Sequence, residues 1–195
     1  MFDLTALAQA IAAHGPVARV VIAAHDGSSP REVGAAMLVW ADGQSGTIGG
    51  GALEFEAAAK ARALLAGGER VVDRVALGPA LGQCCGGAVT LWTEVYTTAP
   101  VAEAGVIARG PGAMPLAVKR VLASARGQGV RPVSALVQGW LVEPVMEPDR
   151  QIWVWGAGHV GRALVNVLAP LPGVAVTWVD VAAETQSTYS AKGVQ

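Results

Sequence analysis

Apolar residues recur at Leu4, Leu7, Ala8 and Ile11, a helical spacing that predicts a helix over Asp3 to Ala13 with Asp3 as its N-cap. His14-Gly15-Pro16 stops it. The period then disappears. Val17 to Ala24 is an unbroken apolar, β-branched run and reads as a buried strand. His25 to Gly34 is polar and rich in turn residues. Ala35 to Trp40 reads as a second strand, Asp42-Gly43 as a hairpin turn, and Ser45 to Ile48 as a short returning strand. A helix follows over Ala52 to Ala66 and ends at Gly67-Gly68. Arg70 to Leu77 and Ala88 to Tyr96 read as strands on either side of a glycine-rich loop.

Thr97-Thr98-Ala99-Pro100 marks a boundary. Past it, Gly105, Gly110, Pro111, Gly112 and Pro115 break up any period until a helix over Leu116 to Ala125. Pro132 to Val137 and Trp140 to Val145 form a hairpin about Gln138-Gly139, and Glu147-Pro148-Asp149-Arg150 is a second boundary. Gln151 to Trp155 is a strand. Gly156-Ala157-Gly158-His159-Val160-Gly161 opens a helix to Leu168, and Val174 to Val179 is a strand ending in Asp180. Strand, glycine turn, helix, strand and acid stand in the order of a dinucleotide-binding unit. The expected fold class is therefore α/β. An α+β domain over residues 1–98 and a connecting segment with helix and hairpin over 99–149 precede a partial Rossmann-like βαβ unit over 150–195.

Composition narrows the function classes. Hydrophobic residues make up 52% of the 195 positions and charged ones 15%, enough apolar mass for a packed core and unlike a disordered chain. A net charge of −1 gives no basic field for nucleic acid or acidic membranes. No apolar run is long enough to span a bilayer, and the first residues lack the basic start of a secretory leader. The two cysteines, Cys84 and Cys85, are adjacent, too close for ordinary disulfide geometry. Thiols in a reducing cytoplasm are expected.

Four stretches carry candidate chemistry. In Gly46 to Glu54, three glycines precede a helix start, so Thr47 and the amides of Gly49, Gly50 and Gly51 suit a phosphate. The alternative is a tight strand-to-helix turn. Glu54 either complements the helix as a first-turn acid or meets a ligand's N–H groups. In Gly27 to Arg31, Ser28 and Ser29 offer hydroxyls and Arg31 a fork for phosphate or carboxylate; the alternative is a surface turn with Arg31 paired to Glu32 or Asp26. Cys84-Cys85, set among glycines, suits a thiolate that carries sulfur or touches a soft metal; the alternative is two small core side chains. Gly156, Gly158, Gly161 and Asp180 suit a dinucleotide such as NAD(P), which makes an NAD(P)-dependent oxidoreductase the rival function. Half a doubly wound sheet leaves an edge strand and a helix face bare, so a homo-oligomer is expected.

Those four motifs, in that order, resemble the XdhC/CoxI family of xanthine dehydrogenase accessory proteins, over roughly Phe2 to Asp180. The resemblance implies a chaperone, not a turnover enzyme. It would bind the molybdenum cofactor, accept its sulfuration from a cysteine desulfurase, and deliver it to a xanthine dehydrogenase-type molybdenum hydroxylase apoenzyme. Molybdopterin brings a phosphate for the Gly49 to Gly51 amides and Arg31, a dithiolene-bound metal for Cys84 and Cys85, and pterin N–H groups for Glu54. The family's Rossmann-like domain runs on past the point matching Asp180, whereas 182–195 here read differently.

Overall fold

A computed structural model of the chain describes residues 1–78, 86–148, 150–171 and 173–180. The fold is α/β, and the chain divides into two compact units, Met1–Val145 and Met146–Gln195.

In the first unit, α1 (Leu4–His14) begins where Asp3 Oδ1 accepts the Ala6 amide at 2.8 Å. It ends where Gly15, at φ +79°, donates its amide to Ile11. Next come β1 (Val17–Asp26), β2 (Ala36–Val39), β3 (Gln44–Gly46), α2 (Gly51–Leu64), β4 (Arg70–Ala76) and β5 (Ala88–Tyr96). The five strands form one antiparallel sheet in the order β3-β2-β1-β5-β4. One face, with Val20, Ile22, Met37 and Leu91, packs on α2 through Leu53, Ala57, Ala58 and Ala61.

The other face is covered as well, which is why β1 reads apolar at nearly every position. β6 (Val106–Arg109), α3 (Leu116–Gln128), β7 (Ala135–Val137) and β8 (Trp140–Pro144) build a three-stranded sheet, order β6-β8-β7. Of residues 99–149, expected as a connecting segment, those up to Val145 thus supply a second layer to the unit that begins at Met1. β8 is buried on both sides. Leu141 meets Val21 and Trp92 of the large sheet, while Trp140 and Val142 meet Val118 and Leu122 of α3. α1 fills the remaining part of that face, where Leu7 packs with Val17, Tyr96 and Phe2.

An ionic network crosses this interface. The guanidinium of Arg19 donates to both oxygens of Glu143, at 2.9 and 2.8 Å. Arg109 donates to Glu143 and to Glu94, each at 2.7 Å, and the Tyr96 hydroxyl also donates to Glu94 at 2.7 Å. The Phe2 ring lies under both guanidiniums, 4.2 Å from Arg19 and 4.9 Å from Arg109. Burial alone would push the Glu143 carboxyl up; the two arginines outweigh it and hold it below the ordinary carboxylate range.

The second unit holds β9 (Arg150–Trp155), α4 (His159–Leu168) and β10 (Val174–Val179), with β9 and β10 parallel. Val154, Val165 and Val176 form its core between sheet and helix. Trp153 and Trp155 lie on the opposite sheet face, stacked with ring centroids 6.1 Å apart and largely exposed. Among the described residues, no helix is long and apolar enough to cross a membrane.

Candidate functional site

Strand order decides which loops meet. In an antiparallel sheet β3-β2-β1-β5-β4, the end of β1, the start of β2, the end of β3, the end of β4 and the start of β5 fall at one end. The connections from β1 to β2, from β3 to α2 and from β4 to β5 therefore emerge side by side. The packing is close. A Cβ on Gly49, whose φ is +124°, would lie 2.6 Å from Pro30 Cβ and 3.6 Å from Arg31 Cγ. A Cβ on Gly87 would lie 2.2 Å from the Ser28 carbonyl oxygen and 2.4 Å from that of Asp26. Only glycine lets these backbones approach so closely. Cys84 and Cys85 lie in the third connection, outside the described residues. Among the described residues no three His, Cys, Asp or Glu side chains are grouped to hold a metal ion.

The glycine turn holds an anion already, and the anion is its own chain's. Glu54, in the first turn of α2, reaches back over the loop. Its Oε2 accepts the Thr47 hydroxyl at 2.5 Å, the Ile48 amide at 3.0 Å and the Gly50 amide at 3.1 Å. Its Oε1 accepts Gln44 Nε2 at 3.3 Å, and the Gly49 amide donates to Thr47 Oγ1 at 3.0 Å. Burial works against the charged carboxylate, but the hydroxyl and amide donors outweigh it and hold Glu54 below its ordinary range. Thr47 and the Gly49 and Gly50 amides, which suit a phosphate by their sequence, are thus engaged within the chain. The sequence leaves Glu54 between helix complement and ligand contact; in the fold it complements the helix start, much as the acid of a capping box does.

The first loop shows a similar self-satisfaction. Arg31 offers its fork to Glu32, Nε to Oε2 at 3.2 Å and Nη2 to Oε1 at 3.1 Å, both side chains exposed. Ser29 Oγ donates to the Arg31 carbonyl at 2.7 Å and closes the turn. Ser28 contributes backbone to the contact with Gly87. The two loops thus lie against one another through Gly49 and Pro30, and each of them engages a carboxylate of its own chain.

Within the second unit, the glycine turn and Asp180 do come together. Asp180 Oδ2 accepts the Ala157 amide at 2.9 Å, and Trp178 Nε1 donates to the Gly156 carbonyl at 3.0 Å. A Cβ on Gly161 would lie 1.9 Å from the Gly156 carbonyl oxygen, so helix and turn pack as closely as the third glycine of a nucleotide turn requires. Gly156 itself sits at φ +94°, and Gly158 is the N-cap of α4.

Sequence reading passed over the Arg19, Glu94, Arg109 and Glu143 network. The signal was available: each is a charge embedded in an apolar strand, where an unpaired one would be costly.

Residues 10–75 match the family model described as the XdhC and CoxI family. That span contains the Gly27 to Arg31 loop, the Gly46 to Glu54 turn and α2. No protein of curated function matches the chain. Among solved structures, the chain is similar to the crystal structure of a xanthine dehydrogenase from Bacillus halodurans, at 16% identity and a TM-score of 0.59. The match covers 94% of this chain and 64% of that one, and at this identity the likeness is one of fold.

Proposed function

We infer that this chain, whose residues 10–75 match the model of the XdhC and CoxI family, has an accessory role to a xanthine dehydrogenase-type enzyme. The finer proposal is a carrier that holds molybdenum cofactor for sulfuration and passes it to a molybdenum hydroxylase apoenzyme. The carrying observation is the convergence of three loops at one end of the large sheet, with Gly49 against Pro30 and Gly87 against Ser28.

The donor set fits the phosphate of such a group in kind. Thr47, Ile48 and Gly50 already focus on one anionic oxygen, that of Glu54. A phosphate presents three such oxygens and is the stronger acceptor. Thr47 and the Gly49 to Gly51 turn would hold it once Glu54 swings out, with Arg31 exchanging Glu32 for the same charge. When bound, the cofactor supplies a dithiolene-held metal on a phosphorylated pterin. Cys84 and Cys85 are the thiols proposed to face that metal, and a cysteine desulfurase is the proposed sulfur donor.

The experiment is reconstitution. Chain purified from a host that makes molybdopterin is mixed with a molybdenum hydroxylase apoenzyme. Activity should appear with the native chain and fall with Thr47→Val and Arg31→Ala. Activity equal with and without the chain overturns the reading.

The close packing of Gly161 on Gly156 and the Asp180 contact to the turn favour a second reading, NAD(P) binding by the βαβ unit. Titration calorimetry with NAD(P) tests it; heat from the native chain that disappears in Gly158→Arg supports it, and no heat removes it.

A further inference from the structure

Helix α4 buries Gly161 and Val165, and Leu168 packs against the same core. At about 100° per residue, Val160, Leu164 and Val167 stand roughly a quarter turn from that buried line. Leu171 continues their spacing just past the helix end. These four residues are exposed by 45% (Leu171) to 73% (Val160), and none of them is polar. The opposite flank of α4 carries Arg162 and, beside it, Asn166.

Handedness fixes which flank overhangs which strand. With the helix toward the viewer and both strands pointing up, the right-handed rule for such crossovers sets β10 to the right of β9. A right-handed helix running down over them turns the Val160 flank left, over β9, and the Arg162 flank right, over β10. On that left side the β9 edge is unpaired among the described residues. The Arg150 amide donates to the Gly173 carbonyl at 3.0 Å and the Gly156 amide to the Val179 carbonyl at 2.8 Å. Even-numbered residues of β9 therefore turn toward β10, and the N–H and C=O groups of Gln151, Trp153 and Trp155 point outward.

We propose that a second copy of the chain covers this side, β9 pairing antiparallel with its own copy about a two-fold axis at Trp153. The axis keeps each sheet face with its like. Trp153 then lies opposite its copy, Gln151 opposite Trp155 and Ile152 opposite Val154, so every residue from Gln151 to Trp155 is paired. Arg150 falls opposite Gly156, and no like charges meet. The helices fit the same axis. α4 lies over both strands, since Val165 shares a core with Val154 and Val176. With strands roughly 4.8 Å apart, the two α4 axes come to lie roughly 9.6 Å apart, within the range of about 8–10 Å for packed helices.

One operation thus closes three open surfaces. The β9 edge gains a ladder, the apolar flank of α4 meets its own copy, and the stacked Trp153 and Trp155 of each copy join one cluster on the other sheet face. The two helices run antiparallel, so their macrodipoles oppose favourably. Charge selects β9 over β10. The same two-fold at the β10 edge would set the Arg162 flanks of the two helices side by side, like charge against like charge. The proposal stands apart from the cofactor reading.

The test is sedimentation of the full chain from about 1 μM to about 300 μM, which should show a monomer–dimer equilibrium. Hydrogen exchange resolved by NMR should slow at the Gln151, Trp153 and Trp155 amides as concentration rises, and stay unchanged at Ile152 and Val154. Gln151→Pro removes only an outward N–H, which an edge strand tolerates, and should raise the dissociation constant about tenfold or more. Leu164→Glu, which puts a carboxylate into the helix contact, should do the same. Circular dichroism should be unchanged in both variants, since both positions are exposed. A chain that stays monomeric up to about 300 μM, a dimer that neither variant weakens, or slowed exchange that spares Gln151, Trp153 and Trp155 would each overturn the proposal.

Discussion

The Thr47 hydroxyl donates to Glu54 Oε2 at 2.5 Å, and through that contact the glycine turn before α2 is closed by a residue from inside the helix it precedes. The same oxygen collects the Ile48 and Gly50 amides. Two effects of removing Glu54 therefore have opposite sign. Glu54→Ala should destabilise the chain by about 1–2 kcal/mol, the ordinary worth of a lost helix cap. In the same variant the freed donors should take inorganic phosphate more tightly than in the native chain. Urea unfolding measures the first and phosphate titration calorimetry the second. A variant that is neither less stable nor a better phosphate binder would show the contact to be incidental.

Gly49 and Gly50 both sit at positive φ, yet they should respond differently to substitution. A Cβ at Gly50 meets nothing within 4 Å, so Gly50→Ala carries only the backbone strain, about 1–3 kcal/mol for a Cβ at φ +75° and ψ −171°. Gly49→Ala adds a collision with Pro30 and should force the two loops apart, costing about 1–3 kcal/mol more. Thermal unfolding of the two variants checks the order, and a smaller loss for Gly49→Ala would contradict the close approach of the loops.

Glu143 is fully buried between two guanidiniums, and its carboxyl is held below the ordinary range. A depressed carboxylate contributes stability above its unfolded-state pKa, about 4.3, and loses it as pH falls through the folded value. The native chain should therefore lose stability on acidification below about pH 4. Glu143→Gln leaves Arg19 and Arg109 without their shared charge and should cost about 3–5 kcal/mol at neutral pH. It should also flatten that part of the acid profile. Denaturant unfolding across pH measures both, and an unchanged acid limb would assign the dependence to other groups.

In the second unit, Gly161→Ala puts a methyl group into the Gly156 carbonyl. Helix α4 must then lift from the turn. Amide protection in Val174 to Val179 should fall while protection in β1 and β5 is unchanged. Equal loss in both units would show that the damage is not local.

Much of this architecture was legible in the residues. β1 announced itself as an apolar run because both its faces are covered, and α1 announced its start through Asp3 and its stop through Gly15. β6 was not legible. Val106 to Arg109 is four residues long and sits among glycines and prolines, so no period can form. Its role depends on β8, some thirty-five positions later in the chain. The Arg19–Glu143 pair spans 124 positions, a partnership that no local pattern encodes. At the candidate site, the glycine turn and its neighbouring loop were found. The carboxylate seated in the turn was missed in its geometry, because a spacing of four residues from Gly50 to Glu54 does not say which way the side chain folds.

The convergence of these loops has one direct test, the pterin content of chain purified from a host that makes molybdopterin, read by absorption and by fluorescence after oxidation. A phosphorylated pterin retained at close to one per chain, and lost in Thr47→Val and Arg31→Ala, is the predicted result. Protein that carries none, although the host supplies it and the chain is folded, would contradict the account.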